Sequence, residues 1–186
     1  ELAAHPQAQD RLRAEVLSAD RNGATTPALV TAVVREAMRL HPVIATGSVR
    51  SPAAAVPLQG GGSIPAHSVC ILHFFSLFRG PAFSEPDAFR PDRWLSADGE
   101  ATAAGTVATK TRTGTELDAL FPFSLGRRSC AGQALGESEI FTAVPYLCAR
   151  YEFTLAHAPS PQNFLTRKPV GARIAVRKVV PVQDGG

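Results

Sequence analysis

Cys130 closes a short basic loop, Phe123-Ser124-Leu125-Gly126-Arg127-Arg128-Ser129-Cys130-Ala131-Gly132. Glycines at 126 and 132 permit positive φ and close backbone approach, so the loop can fold tightly around something beside the sulfur. A helix-like segment follows, and its first backbone N–H groups together with two arginines favour thiolate over thiol. A thiolate held in this way is a nucleophile or a metal ligand. A cysteine merely buried in a Gly/Arg loop is the plain alternative.

A second pair able to do physical work is Glu36 and Arg39, spaced i, i+3 on a predicted helix over 27–40. On a helical wheel Leu29, Val33, Glu36 and Leu40 share one narrow stripe. A carboxylate in an apolar stripe is costly unless it is paired. Taken alone, such a pair is usually a solvated surface salt bridge.

The pattern F-x-x-G-x-R-x-C-x-G, filled by Phe123, Gly126, Arg128, Cys130 and Gly132, resembles the cysteine-ligand loop of the cytochrome P-450 superfamily. Glu36-Ala37-Met38-Arg39 resembles the same family's E-x-x-R, and the stretch from Arg79 to Trp94 resembles its proline-aromatic run ending in P-E-R-F/W. Gly80, Asp92 and Gly136 depart from the usual aspartate, glutamate and alanine. Weaker likenesses are H-P-x-x-Q-x-x-L-x-x-E from His5, the I-P strand entry at Ile64 and the closing K-P-x-G at Lys168.

The resemblance implies that Cys130 is the thiolate ligand of the iron of heme b (Fe-protoporphyrin IX). Arg128 and Arg50 would pair with its propionates, and Phe123 would shield the sulfur from water. Arg93 would complete a buried cluster with Glu36 and Arg39. Val43 and Ile44, with Phe164 and Leu165 at a later turn, would form the substrate rim. The implied reaction is reductive O₂ activation and insertion of one oxygen atom into an apolar small molecule. Electrons would come from NAD(P)H through a flavoprotein reductase or a ferredoxin-type donor, with Arg127, Arg128, Lys110 and Arg112 as a basic docking face. Ser124 and Trp94 look more like eukaryotic, endoplasmic-reticulum members, whose membrane anchor would lie upstream of Glu1. Other members would bind haem without monooxygenation, as peroxide-rearranging enzymes or inactive products. That reading stays open because the O₂-activating Ala/Gly-Gly-x-Asp/Glu-Thr segment is absent from this sequence.

The elements that must hold these residues are legible in outline. Pro6 opens a helix over 6–17, a polar turn with Asn22-Gly23 follows, and Thr26-Pro27 reads as N-cap and first residue of the next helix. His41-Pro42 ends that helix. Residues 51–62 read as a hairpin, 64–73 as strand, 74–78 as a short buried helix and 96–118 as an insertion without hydrophobic period. A helix over 132–150 carries Pro145, which predicts a kink or break. Strands follow at 151–155 and on either side of Lys168-Pro169-Val170-Gly171. The implied fold is mainly α with small β-sheets, the C-terminal portion of the family's fold. Residues 1–186 would form a single partial domain lacking its upstream helices.

Composition narrows the classes. Of the 186 residues, 45% are apolar and 19% charged, which suits a globular chain with a core. A net charge of +3 gives no support to nucleic-acid binding, and no signal peptide or long apolar span is present. Cys70 and Cys148 lie in apolar runs and read as inert core thiols. A cysteine hydrolase would need a base histidine, and those at 5, 41, 67, 73 and 157 form no recognisable partner pattern.

Overall fold

The computed structural model describes residues 1–21, 26–96, 119–163 and 166–179. Two helices open the chain, α1 over Pro6–Arg21 and α2 over Ala28–Leu40. Helix α1 has proline in its first turn, where a missing N–H costs nothing. It buries Gln9, Leu12 and Val16, one stripe at helical spacing. Helix α2 departs from the single-stripe expectation, because ten of its thirteen residues are buried. It is covered on several sides by α1, by the later helix that follows Cys130, and by a 3-10 turn over Pro91–Trp94.

The start of α2 also differs from its expected cap. Pro27 is the N-cap and makes no side-chain cap bond, so the helix begins one residue late at Ala28. The capping acceptor comes from the neighbouring helix. Glu15 Oε1 takes the hydrogen bond of the Leu29 N–H at 3.0 Å, and a carboxylate at a helix N-terminus also meets the positive end of the dipole.

Strand β1, Ser48–Arg50, pairs antiparallel with β4, Cys70–Leu72, and between them β2, Val56–Pro57, pairs with β3, Ser63–Ile64. Gly60, Gly61 and Gly62 all take positive φ in the β2–β3 turn. Gly47 is required at the foot of β1: its φ is +72°, and a Cβ there would lie 1.8 Å from the Leu72 carbonyl oxygen. Helix α3, Phe74–Leu77, is the expected short helix. Phe74 stacks on Phe78 at 5.1 Å, and both meet Phe121 edge-on at 5.4 Å. That aromatic trio fixes the chain just ahead of the cysteine loop.

Helix α4 runs over Gln133–Arg150, and it passes through Pro145 without the expected break. Proline forfeits one backbone bond, and the turns on either side, with Cys148 and Ala149 buried near the end, keep the helix continuous. Strand β5, Tyr151–His157, pairs with β8, Arg173–Lys178, and β6, Ser160–Asn163, with β7, Arg167–Val170. Gln9 staples α1 to β5 as a strand neighbour would: its amide donates to the Phe153 carbonyl at 2.9 Å and accepts from the Phe153 N–H at 2.7 Å. Arg13 adds bonds to the carbonyls of Cys148 and Tyr151.

Among the described residues this makes four α-helices and four two-stranded antiparallel sheets around one core. None of those helices is long and apolar enough to cross a membrane. Cys148 is buried, and burial pushes its thiol up. Cys70 is not a core thiol as expected. It is half-buried on β4, whose neighbours Val69 and Ile71 are largely exposed, because a two-stranded sheet with an open face cannot bury both sides. The expected turn at 22–25 and the insertion at 97–118 lie outside the described residues.

Candidate functional site

Glu36 and Arg39 are fully buried on α2. Arg39 grips the carboxylate with two parallel bonds, Nε to Oε2 and Nη2 to Oε1, each 2.9 Å. Arg93 Nε reaches Oε1 at 3.2 Å, so the structure brings together the three residues expected to cluster. Two donors escaped the sequence reading. The Arg90 backbone N–H bonds Oε1 at 2.8 Å, and the Trp94 indole N–H bonds Oε2 at 2.9 Å. Indole nitrogen is a donor only, so a tryptophan beside a buried carboxylate was the available signal.

Burial acts to raise the Glu36 carboxyl. The hydrogen bonds from Arg39 and the Arg90 N–H, with the charges of Arg39 and Arg93, outweigh it and hold the group below the ordinary carboxylate value. The next residue, Arg35, is also fully buried. Burial lowers its pKa, and the nearby charge of Glu137 on α4 partly offsets this. Glu139, two residues further along the same helix, is exposed.

The charge cluster underlies the cysteine loop by a short route. Arg39 Nη1 donates to the Phe78 carbonyl at 2.9 Å, Phe78 packs on Phe121, and the Phe121 carbonyl accepts from Ser124 N at 2.9 Å. Inside the loop the Cys130 N–H bonds the Phe123 carbonyl at 2.8 Å, and Ser129 N bonds Gly126 O at 3.0 Å. Gly126 takes φ +71°, where any other residue would be strained. Ser124 takes φ +63° without being glycine. It is held there from β1, by Arg50 Nη2 at 2.7 Å and Ser48 Oγ at 3.1 Å, both donating to its hydroxyl oxygen. Arg50 is thereby brought against the loop.

Cys130, Arg127 and Arg128 are exposed, and Arg128 has no side-chain hydrogen bond among the described residues. Phe123 is half-buried, with its ring beside Gly136: a Cβ at Gly136 would lie 3.8 Å from the ring edge. The alanine usual there is thus replaced at ordinary contact distance. Val43 and Ile44 are 62% and 45% exposed. Phe164, Leu165, Lys110 and Arg112 lie outside the described residues.

The donor set suits a flat, largely apolar group that carries a thiolate-binding metal and carboxylates. One exposed sulfur stands at the end of a tied loop, the exposed guanidinium groups of Arg127 and Arg128 are at hand, and the apolar Leu125 and Leu135 stand 54% and 66% exposed on either side of it in sequence. No cluster of three or more His, Cys, Asp or Glu residues able to hold a bare metal ion occurs among the described residues. Haem fits this arrangement.

The family model described as Cytochrome P-450 matches residues 1–179. The mitochondrial 25-hydroxyvitamin D-1 alpha hydroxylase of Homo sapiens is 32% identical, over 90% of this chain and 32% of its own length. Oryzalexin E synthase of Oryza sativa subsp. japonica is 30% identical, over 98% of this chain and 36% of its own length. The chain spans about a third of the length of these curated relatives. That family match covers both the Glu36 cluster and the Cys130 loop, and the chain is a member of the cytochrome P-450 family.

Proposed function

We propose that residues 1–186 are the C-terminal part of a single haem-thiolate monooxygenase domain whose other helices lie upstream, and that Cys130 is the ligand of the iron of heme b. The observation that carries this reading is the exposed Cys130 sulfur at the end of a loop fixed by Phe123, Ser124 and Gly126. Bound there, a thiolate-ligated haem supplies the redox chemistry that activates O₂ and inserts one oxygen atom into an apolar substrate.

The chain's own residues have separable tasks. The Cys130 N–H to Phe123 O bond sets the direction of the sulfur, and the Phe123 ring limits water beside it. Arg128 and Arg50 would hold the haem carboxylates, Arg50 from a position already tied to Ser124. Gly126 and Gly132 would let the loop backbone come close to the haem face, and a Cβ at Gly132 would make only ordinary contact, at 3.8 Å, with Cys130 Sγ. Glu36, Arg39 and Arg93 lock α2 to the 86–94 segment and so support the floor under the loop. We assign Val43 and Ile44 to the substrate rim, together with Phe164 and Leu165, which lie outside the described residues. The exposed Arg127 and Arg128 offer positive charge to an acidic electron donor, a flavoprotein reductase or a ferredoxin-type protein that draws on NAD(P)H. The hydroxylase name of one relative supports the reaction class, and the resemblance of Ser124 and Trp94 supports an endoplasmic-reticulum membrane for the parent protein.

The test is reconstitution of the full-length protein with haem, a reductase and NADPH under isotopically labelled O₂. Transfer of one labelled oxygen atom into an apolar organic probe is the expected result. Haem binding with peroxide rearrangement, or with no oxygen transfer, would replace this reading by the non-monooxygenase one.

A further inference from the structure

Two guanidinium groups lie over the ring of Phe75. Its centroid is 4.0 Å from Arg79 Cζ and 4.5 Å from Arg167 Cζ. The backbone joins the same residues by a second route. The Phe75 N–H bonds the Ala45 carbonyl at 3.0 Å, and the Arg167 N–H bonds the Val43 carbonyl at 2.7 Å. Residues 43–45, Phe75 and Arg167 therefore form a closed circuit: two backbone bonds and one ring contact join helix α3, strand β7 and the segment that carries the exposed Val43 and Ile44.

The two arginines are not equivalent. Arg79 is anchored elsewhere, through Nε to Asp87 Oδ1 at 3.0 Å and Nη2 to the Leu40 carbonyl at 2.7 Å. The Arg167 side chain has no hydrogen bond or carboxylate partner among the described residues, and Arg79 repels it. Its one attraction there is the Phe75 face. On its other side the 43–47 turn is tied down by the Gly47 N–H bond to the Ile44 carbonyl at 3.0 Å, and Gly47 lies so close to the Leu72 carbonyl that a Cβ there would stand 1.8 Å from its oxygen. The Phe75 ring is thus what ties the Arg167 side chain to this turn.

We propose that Phe75 is a positioning residue: its aromatic face clamps Arg167, seats the β6–β7 hairpin on residues 43–45, and so sets the shape of the mouth through which apolar ligands pass. The inference rests on the reading of the 43–45 segment as part of the substrate rim. Any apolar side chain would fill the space; only an aromatic face attracts the cation. Phe75→Tyr keeps that face and Phe75→Leu removes it.

The experiment uses the full-length haem-loaded protein, with amide hydrogen exchange as one readout and the spectral titration of 4-phenylimidazole as the other. Phe75→Leu and Arg167→Gln are each expected to speed exchange at 43–47 and 166–170 by about 2- to 30-fold. That range is what roughly 0.5–2 kcal/mol gives at about 1.4 kcal/mol per tenfold. Exchange in α1 and α2 stays unchanged, Phe75→Tyr behaves as wild type, and the double variant is no faster than either single one. The azole affinity shifts severalfold in the Leu and Gln variants and not in Tyr. Equal exchange in Phe75→Leu and wild type, Phe75→Tyr behaving as Leu, or an azole affinity that ignores Phe75→Leu would overturn the clamp. A wild-type protein that gives no azole spectrum would overturn the haem reading instead.

Discussion

Arg39 gives all five of its guanidinium N–H groups to protein acceptors, and two of them go to Glu36, one helical turn earlier. The remaining three reach the carbonyls of Phe78, Pro86 and Ala88. Glu36 in turn accepts five bonds, from Arg39 twice and from Arg90 N, Arg93 and Trp94 once each. A buried ion pair is stabilising only when its leftover donors and lone pairs are satisfied. Here they are, by three separate stretches of chain.

Glu36→Ala should leave two arginines without their anion inside the protein. Breaking such a pair costs about 3–5 kcal/mol, a large share of a domain's stability. The expected outcome is loss of soluble, haem-loaded protein rather than a folded protein with slow turnover. Urea unfolding of the full-length variant measures it.

Trp94→Phe should cost at least the indole bond. The Oε2 of Glu36 loses one donor, and the smaller phenyl ring leaves part of a fully buried place empty. A hydrogen bond to a charged group contributes about 1.5–3 kcal/mol, so the unfolding midpoint should fall by at least that equivalent. A midpoint equal to wild type would mean that the indole bond contributes nothing.

Acid should weaken the cluster in a defined direction. The Glu36 carboxyl is held below its ordinary value when folded. Its contribution is therefore fully present above the unfolded glutamate value, about 4.3, and is lost as pH falls through the lower folded value. Unfolding free energy measured downward from about pH 5 should decline, and part of that slope should be absent in Glu36→Gln, which cannot titrate.

Gly47→Ala should disturb the fold near the rim. Positive φ costs a side-chain-bearing residue about 1–3 kcal/mol, and the new Cβ would overlap the Leu72 carbonyl. The β1–β4 pair must shift, so faster amide exchange at 48–50 and 70–72 is the expected sign.

The cysteine loop and the Glu36–Arg39 pair could be read in the sequence because each is local: a few residue types at short fixed spacing. What the sequence hid was contributed from far along the chain. The Glu15 cap on α2, the Gln9 bridge to Phe153 and the Trp94 bond to Glu36 join residues 14, 144 and 58 positions apart. No periodicity marks such a partner. At Pro145, where a kink or break was expected, no break occurs, because packing along a helix can outweigh one missing backbone bond. Cys70 misled because an apolar run says nothing of how many layers cover it.

The central claim is that Cys130 ligates the haem iron, and one spectrum tests it most directly. In the full-length protein, reduced and exposed to carbon monoxide, wild type should show the far-red-shifted Soret band that thiolate ligation produces. Cys130→Ser should lose that band, and Cys70→Ser and Cys148→Ser should keep it. A Cys130→Ser protein that retains the shifted band would contradict the account.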